Sequence, residues 1–390
     1  MNYTKNTGNL FDAHCHLSPV VTKQRFSTLK EELQKKLLQE PSDGFIFKYP
    51  CLNMMSTNFI DYKLVHELSK EFPGFVNPNY GVHPWFCHLY TFVDYSKDEN
   101  APLSSTQVKR LHYSSILLPH KDISDQLLEA LPVPIYIFDY LKEVEALLQE
   151  NPLAGIGEIG IDKSFRLPMC GYLGSEQCLE WIDDPFLRTK NPQEQELRHK
   201  WSPFRTDMDH QIRVVEAFLD LAKRFRRPVS LHCVGNHGKL FDLLKKVFID
   251  DTSTNNGYRF SSIDLHSYSG SIEQTRMYTR MFPGIKFSIS SVLNLKRYRN
   301  RLDESLKSGH LTPKNLLLET DLGLDALYWP QKEEDGEDRY ELLVSRKTGS
   351  LDRHTELLSS TLEQIYDLDS RVSLQTLNDN YREYLNLVTN

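Results

Sequence analysis

The sequence predicts an α/β fold: a (β/α)8 barrel with long inserted loops, or, from pattern alone, an open doubly wound sheet. Three observations carry this. Eight apolar runs recur along the 390 residues, each too short for a typical helix. Amphipathic stretches stand between several of them, with apolar residues at three- and four-residue spacing. Strands that alternate with helices form βα units on a parallel sheet, and eight such units favour closure into a barrel.

The candidate strands are residues 9–16 (NLFDAHCH), 44–52 (GFIFKYPCL), 75–84 (FVNPNYGVHP), 153–162 (LAGIGEIGID), 228–235 (PVSLHCVG), 261–270 (SSIDLHSYSG), 285–290 (IKFSIS) and 315–321 (NLLLETD). The spacing predicts helices over 59–72, 140–151, 210–225 and 237–248, and a closing helix in the tail SLQTLNDNYREYLNL. Residues 86–139, 163–209 and 331–358 do not fit the repeat. They read as insertions into one barrel unit that spans residues 1–390, since connections of such length are usually functional loops.

Hydrophobic content of 39% and charged content of 25% describe an ordinary globular chain. The net charge of −7 excludes a protein that grips long nucleic acid through its overall field, so any such contact needs a local basic patch. The six cysteines, at 15, 51, 87, 170, 178 and 233, include no CxxC pair and predict free thiols in a reducing compartment. The opening MNYTKNTGNLFDAHCHL has no apolar stretch of signal-peptide length, and no apolar run reaches the length of a membrane span. Cytosol or nucleus is the expected compartment, with no membrane partner.

The chemistry concentrates at strand ends. His14 and His16 are two apart on the first strand, which puts both imidazoles on one face. Glu158 falls in the Gly-rich fourth run, His232 ends the fifth, His266 the sixth and Asp321 the eighth. In a barrel these ends meet at the mouth where active sites form. Imidazole and carboxylate ligands suit zinc, manganese or magnesium. Singly, each residue has a bland explanation, such as a satisfied core histidine or a helix cap. Six ligand-type residues in the same relative place on five strands make a metal site the better explanation.

The motifs FDAHCHL, GVHPW, AGIGEIGID, PVSLHC, LHSYSGS and LLLETDLG resemble, in order, those of the TatD family of metal-dependent deoxyribonucleases, within the amidohydrolase-like barrel superfamily. The resemblance covers about the whole barrel. It implies a TIM barrel and two divalent metal ions. His14 and His16 would hold one ion with Asp321 nearby, Glu158 would bridge, and His232 and His266 would hold the other. Asp321 and Glu158 are the catalytic candidates. His83 would line the site, while Glu319 and Asp162 would orient neighbours. The substrate-facing positions depart from the family: Val234 stands in place of an arginine, Trp85 in place of a histidine, Lys163 in place of an aromatic, and Leu322 and Gly323 follow the last aspartate.

The implied function is phosphodiester hydrolysis of DNA by a two-metal-activated water. The stretch LKRYRNR after the seventh strand supplies Lys296 and Arg297 as candidate phosphate contacts, with a solvated helix turn as the plainer account of it. A hydrolase of small esters, amides or phosphoesters on the same barrel is the alternative. A scaffold that binds protein partners through its inserted loops is another.

Overall fold

A computed structural model of the chain describes residues 10–39, 51–97, 103–187, 200–250, 257–327 and 351–387. Eight parallel strands form one sheet in sequential order: β1 (Asp12–His16), β2 (Leu52–Met55), β3 (Val76–Tyr80), β4 (Gly155–Asp162), β5 (Val229–Val234), β6 (Ile263–Leu265), β7 (Lys286–Ile289) and β8 (Leu316–Leu318). The ends meet. The Asp321 amide donates to His14 O at 2.9 Å and the His16 amide to Leu322 O at 3.0 Å, so the sheet curls into a barrel rather than staying open.

The apolar pattern explains the outer layer. Phe218, Leu219, Leu221 and Ala222 of the helix Met208–Phe225 are buried against the sheet. The helix ends where Arg226 turns left-handed at φ 53. The helix Lys23–Gln39 escaped sequence reading because its lysines and glutamates mask a thin buried line of Phe26, Leu29 and Leu33. The closing helix appears as Leu374–Tyr384, with Ser373 accepting from the Thr376 amide at its start.

Several boundaries move. The second strand runs over Leu52–Met55, past most of the expected 44–52, of which 44–50 lie outside the described residues. Asp321 is not on a strand. β8 stops at Leu318 and Asp321 follows in the loop at φ 54. Of the expected insertion at 331–358, residues 331–350 lie outside the described residues, and the rest opens the helix Leu351–Leu368.

The other two insertions fold together. The span 86–139 is not a polar loop; it carries the helices Ser105–Ile116 and Asp125–Ala130. Tyr113, Ile116, Leu117, Ile123, Leu127, Leu128 and Leu131 of this span close a small core with Leu167 and Phe204 of the second insertion. The two-residue strands Leu117–Leu118 and Arg205–Thr206 pair antiparallel across the join. No helix among the described residues is long and apolar enough to cross a membrane.

Candidate metal centre

Side chains alternate along each strand, so Ala13 and Cys15 of β1 enter the apolar core while His14 and His16 take the other face, with His16 lining the mouth. There they meet residues delivered by the other strands. Glu158 is the hub. Its Oε1 lies 3.1 Å from His83 Nε2, 3.0 Å from His232 Nδ1 and 2.8 Å from His266 Nε2, and its Oε2 lies 3.3 Å from His14 Nε2. Asp321 Oδ1 lies 3.3 Å from His16 Nε2 and 3.9 Å from His14 Nε2. The six ligand candidates from sequence are therefore brought together, with His83 beside them.

Outer groups fix the rings. His14 Nδ1 is 2.8 Å from the Ser230 hydroxyl, and His16 Nδ1 is 3.0 Å from Leu17 O. Asp162 Oδ2 lies 3.7 Å from His232 Nε2 and accepts the Trp85 indole N–H at 2.9 Å. The Ser267 hydroxyl is 2.8 Å from Glu319 Oε1 and 2.9 Å from Asp321 Oδ2. Ser230 stands two residues before His232 and shares its strand face. That period of two was the signal that could have found it.

Burial opposes charge throughout the mouth; it wins at His14, lowered to about 4, and at His83, while at Glu158, Asp321, His16, His232 and His266 the pairs win. His83, His266 and His14 hold the Glu158 carboxyl well below the usual range. The His16 hydrogen bond and the imidazoles around it do the same for Asp321. Conversely, Asp321 lifts His16 to about 9, Asp162 and Glu158 lift His232 to about 9, and Glu158 lifts His266 to about 10. Burial, with Asp321 and Asp264 nearby, drives Glu319 up to about 8. Anionic carboxylates clustered this tightly call for cations, and protons on the imidazoles supply them unless a metal does.

The donor chemistry fits divalent metals. His83, Glu158 and His232 offer ligand atoms within 4.8 Å of one another, and so do His14, His266 and Glu319. His232 Nε2 and His266 Nδ1 are buried with no hydrogen-bond partner. The sequence assigns Glu319 the part of orienting a neighbour, and its oxygens do meet the Ser267 and Ser288 hydroxyls. The fold also carries it, fully buried, within ligand reach of His14 and His266.

The mouth opens into a cavity of about 810 Å³ whose wall includes His83, Trp85, Val234, His237, Arg297 and Arg301. Trp85 stacks on Phe165 with ring centres 5.1 Å apart. Lys296 is exposed and lies outside the cavity lining, as does Lys163. Of the two candidate phosphate contacts, only Arg297 reaches the cavity, because successive residues on a helix point about 100° apart.

The family model for TatD-related DNases matches residues 11–367. The Cut9-interacting protein scn1 of Schizosaccharomyces pombe is 32% identical over 333 residues, covering 80% of this chain and 86% of that protein. The uncharacterized deoxyribonuclease YMR262W of Saccharomyces cerevisiae is 28% identical over 250 residues, covering 62% of this chain and 66% of that one. Among solved structures, the TatD homolog YJJV of Escherichia coli shares the fold at a TM-score of 0.50 and 17% identity, covering 97% of this chain and 99% of that chain. With the family model spanning most of its length, and its motifs converging at one barrel mouth, the chain belongs to the TatD-related DNase family.

Proposed function

We propose that this chain is a metal-dependent hydrolase of DNA phosphodiester bonds, working with two divalent ions, zinc or magnesium or manganese, at the barrel mouth. The observation that carries the reading is Glu158, a buried carboxylate whose oxygens face imidazoles from four separate strands or their following loops. His14 and His16 with Asp321 would hold one ion and His232 and His266 the other, with Glu158 between them. Glu319 and His83 complete the donor groups. When bound, such ions lower the pKa of a coordinated water toward about 7 and stabilise charge on phosphoryl oxygens.

The protein's own part is to place groups and move a proton. Ser230 and Leu17 O lock the rings of His14 and His16. Asp321 is held in a left-handed conformation by the hydrogen bond its backbone N–H donates to His14 O, with the Ser267 hydroxyl against Oδ2. That fixed carboxylate accepts the proton of the attacking water and returns it to the leaving oxygen. His83 and Arg297 border the cavity and contact substrate; Lys296 stands outside it.

The test is to measure bound metal by mass spectrometry and cleavage of labelled oligonucleotides with and without chelator. Cleavage that chelation abolishes and Asp321→Asn suppresses is the expected result. An Asp321→Asn enzyme as fast as wild type would overturn it. Turnover of chromogenic esters without oligonucleotide cleavage would assign the site to small substrates instead.

A second reading has its own observation. Five of the seven exposed large apolar side chains among the described residues are Val93, Leu111, Phe138, Phe186 and Trp201, all within the inserted spans. Exposed large apolar side chains can mark contact surfaces, and the scn1 relative is named as a Cut9-interacting protein. On this reading residues 1–390 form one barrel unit whose insertions dock a protein. Phe186→Ser with Trp201→Ser would abolish that docking and spare hydrolysis. No disulfide joins the described cysteines, which favours work in the cytosol or nucleus.

A further inference from the structure

Beyond His232 on the chain, the cavity wall changes character. Gly235, Asn236, His237 and Gly238 line it, and the helix His237–Lys245 begins there. Asn236 caps that helix without a side-chain hydrogen bond. A Cβ at Gly238 would meet nothing within 4 Å, so the first turn opens on free space. A helix start of this kind presents unpaired backbone N–H groups and a partial positive charge.

His237 is the second, independent observation. It is 7% exposed, lines the cavity, and has no hydrogen-bond partner on either ring nitrogen. A buried imidazole normally bonds through at least one nitrogen, so one without partners that faces a cavity is placed for a ligand. Tyr268 and Tyr278 pack edge-on against the ring, at 5.2 and 6.3 Å, and Tyr278 Oη donates to His237 O at 2.8 Å. The ring is thus held in place without its polar atoms being used. Burial, then His232 and Arg301, press its pKa down to about 4. From the helix after β7, Arg297 and Arg301 complete the wall. Arg301 Nη1 donates to Ser269 O at 2.7 Å and its guanidinium lies 5.0 Å from the Tyr298 ring centre, which fixes its direction.

We propose that His237, Arg297, Arg301 and the open start of the helix His237–Lys245 form a phosphate subsite beside the donor cluster. Two guanidinium groups, an unpartnered imidazole and the open helix start line the same cavity, and an oxyanion with several acceptor oxygens matches such a set. On the hydrolase reading, on which its role in turnover rests, the subsite takes a substrate phosphate other than the one attacked. A terminal phosphomonoester and an internal diester share this chemistry.

The test uses the metal-loaded full chain. Calorimetric titrations compare inorganic phosphate, an oligonucleotide with a 5′-phosphate and the same oligonucleotide with a 5′-hydroxyl. Arg297→Ala with Arg301→Ala should weaken phosphate binding about ten-fold or more, the usual effect of losing charge-assisted bonds, while bound metal stays at the wild-type level. KM should rise more than kcat falls. Loss confined to the 5′-phosphate oligonucleotide assigns a terminal group, and equal loss for both assigns an internal one. His237→Gln should weaken binding in the same direction. Because His237 packs on two tyrosines, the exposed arginine pair keeps the test decisive if that variant misfolds. Wild-type phosphate affinity in the double arginine variant overturns the subsite. Weakened phosphate binding in a protein that cleaves no nucleic acid keeps the subsite and sinks only the DNA-hydrolase reading.

Discussion

Two regions bury histidines for opposite ends. At the barrel mouth, His16, His232 and His266 face Asp321, Asp162 and Glu158, and the carboxylates lift them to about 9, 9 and 10 against the cost of burial. In the inserted unit and where it meets the barrel, His88, His112 and His210 face backbone carbonyls instead. His88 Nε2 lies 3.1 Å from Gly171 O, His112 Nε2 2.9 Å from His88 O and His210 Nε2 3.0 Å from Cys87 O. Burial pushes His88 and His112 down to about 3 and lowers His210 as well. A neutral imidazole that donates to a carbonyl ties two chain segments together. Among the mouth carboxylates three imidazoles are raised, while burial still lowers His14 to about 4 and His83 as well. The residue type is the same, and the partner decides which role it plays.

The comparison breaks most visibly at Glu158. Glu158→Gln removes the charge that four imidazoles share, and metal retention and hydrolysis should fall beyond the roughly 100-fold that supporting partners usually cost. Wild-type metal content in that variant would mean the mouth is only a polar core. Ser230→Ala leaves His14 Nδ1 without its 2.8 Å partner. Metal affinity, read by competition with a chelating dye, should drop about 10- to 100-fold, and an unchanged affinity would remove Ser230 from the site.

Acid should act on the inserted unit. His88 and His112 stay neutral in the fold down to about pH 3, whereas a free imidazole titrates near 6.5. Between those limits the unfolded chain takes up protons that the folded chain refuses. Stability is therefore full above about pH 6.5 and falls as the pH drops toward 3, by up to about 1.4 kcal/mol per unit for each histidine. Limited proteolysis at pH 7.5 and pH 5 should show cleavage rising within 86–139 first. Equal resistance at both values would count against the neutral-histidine account. The smallest effect belongs to Lys296→Ala. This residue lies outside the cavity lining, and oligonucleotide cleavage should stay within about two-fold of wild type, the ±0.5 kcal/mol of ordinary surface changes. A larger loss would place Lys296 on the substrate path.

Much of the site was legible because the signals that locate it are local. The pair His14 and His16 shares a strand face by the period of two, and motif order fixes which strand ends carry Glu158, His232 and His266. Glu319, Ser230 and His237 were less legible. Their importance depends on what lies across the barrel: two histidines for Glu319, His14 for Ser230, and Arg301 with an open cavity for His237. The shared core of two insertions was illegible for the same reason. Tyr113 and Leu127 look like isolated apolar residues in a polar span until Leu167 and Phe204 arrive from another insertion to bury them.

By itself, the sequence determined the repeating βα units, the eight strands in their order and the identity of the ligand-type residues at the mouth. These follow from periodicity, strand length and chemistry within a few neighbouring positions. Only the tertiary structure decided that the sheet closes, with Asp321 and Leu322 bonded back to β1. It also decided that two distant insertions share a core, and that Arg297 rather than Lys296 faces the cavity. Those outcomes are set by contacts between residues far apart in the chain, and a local pattern has no means of recording them.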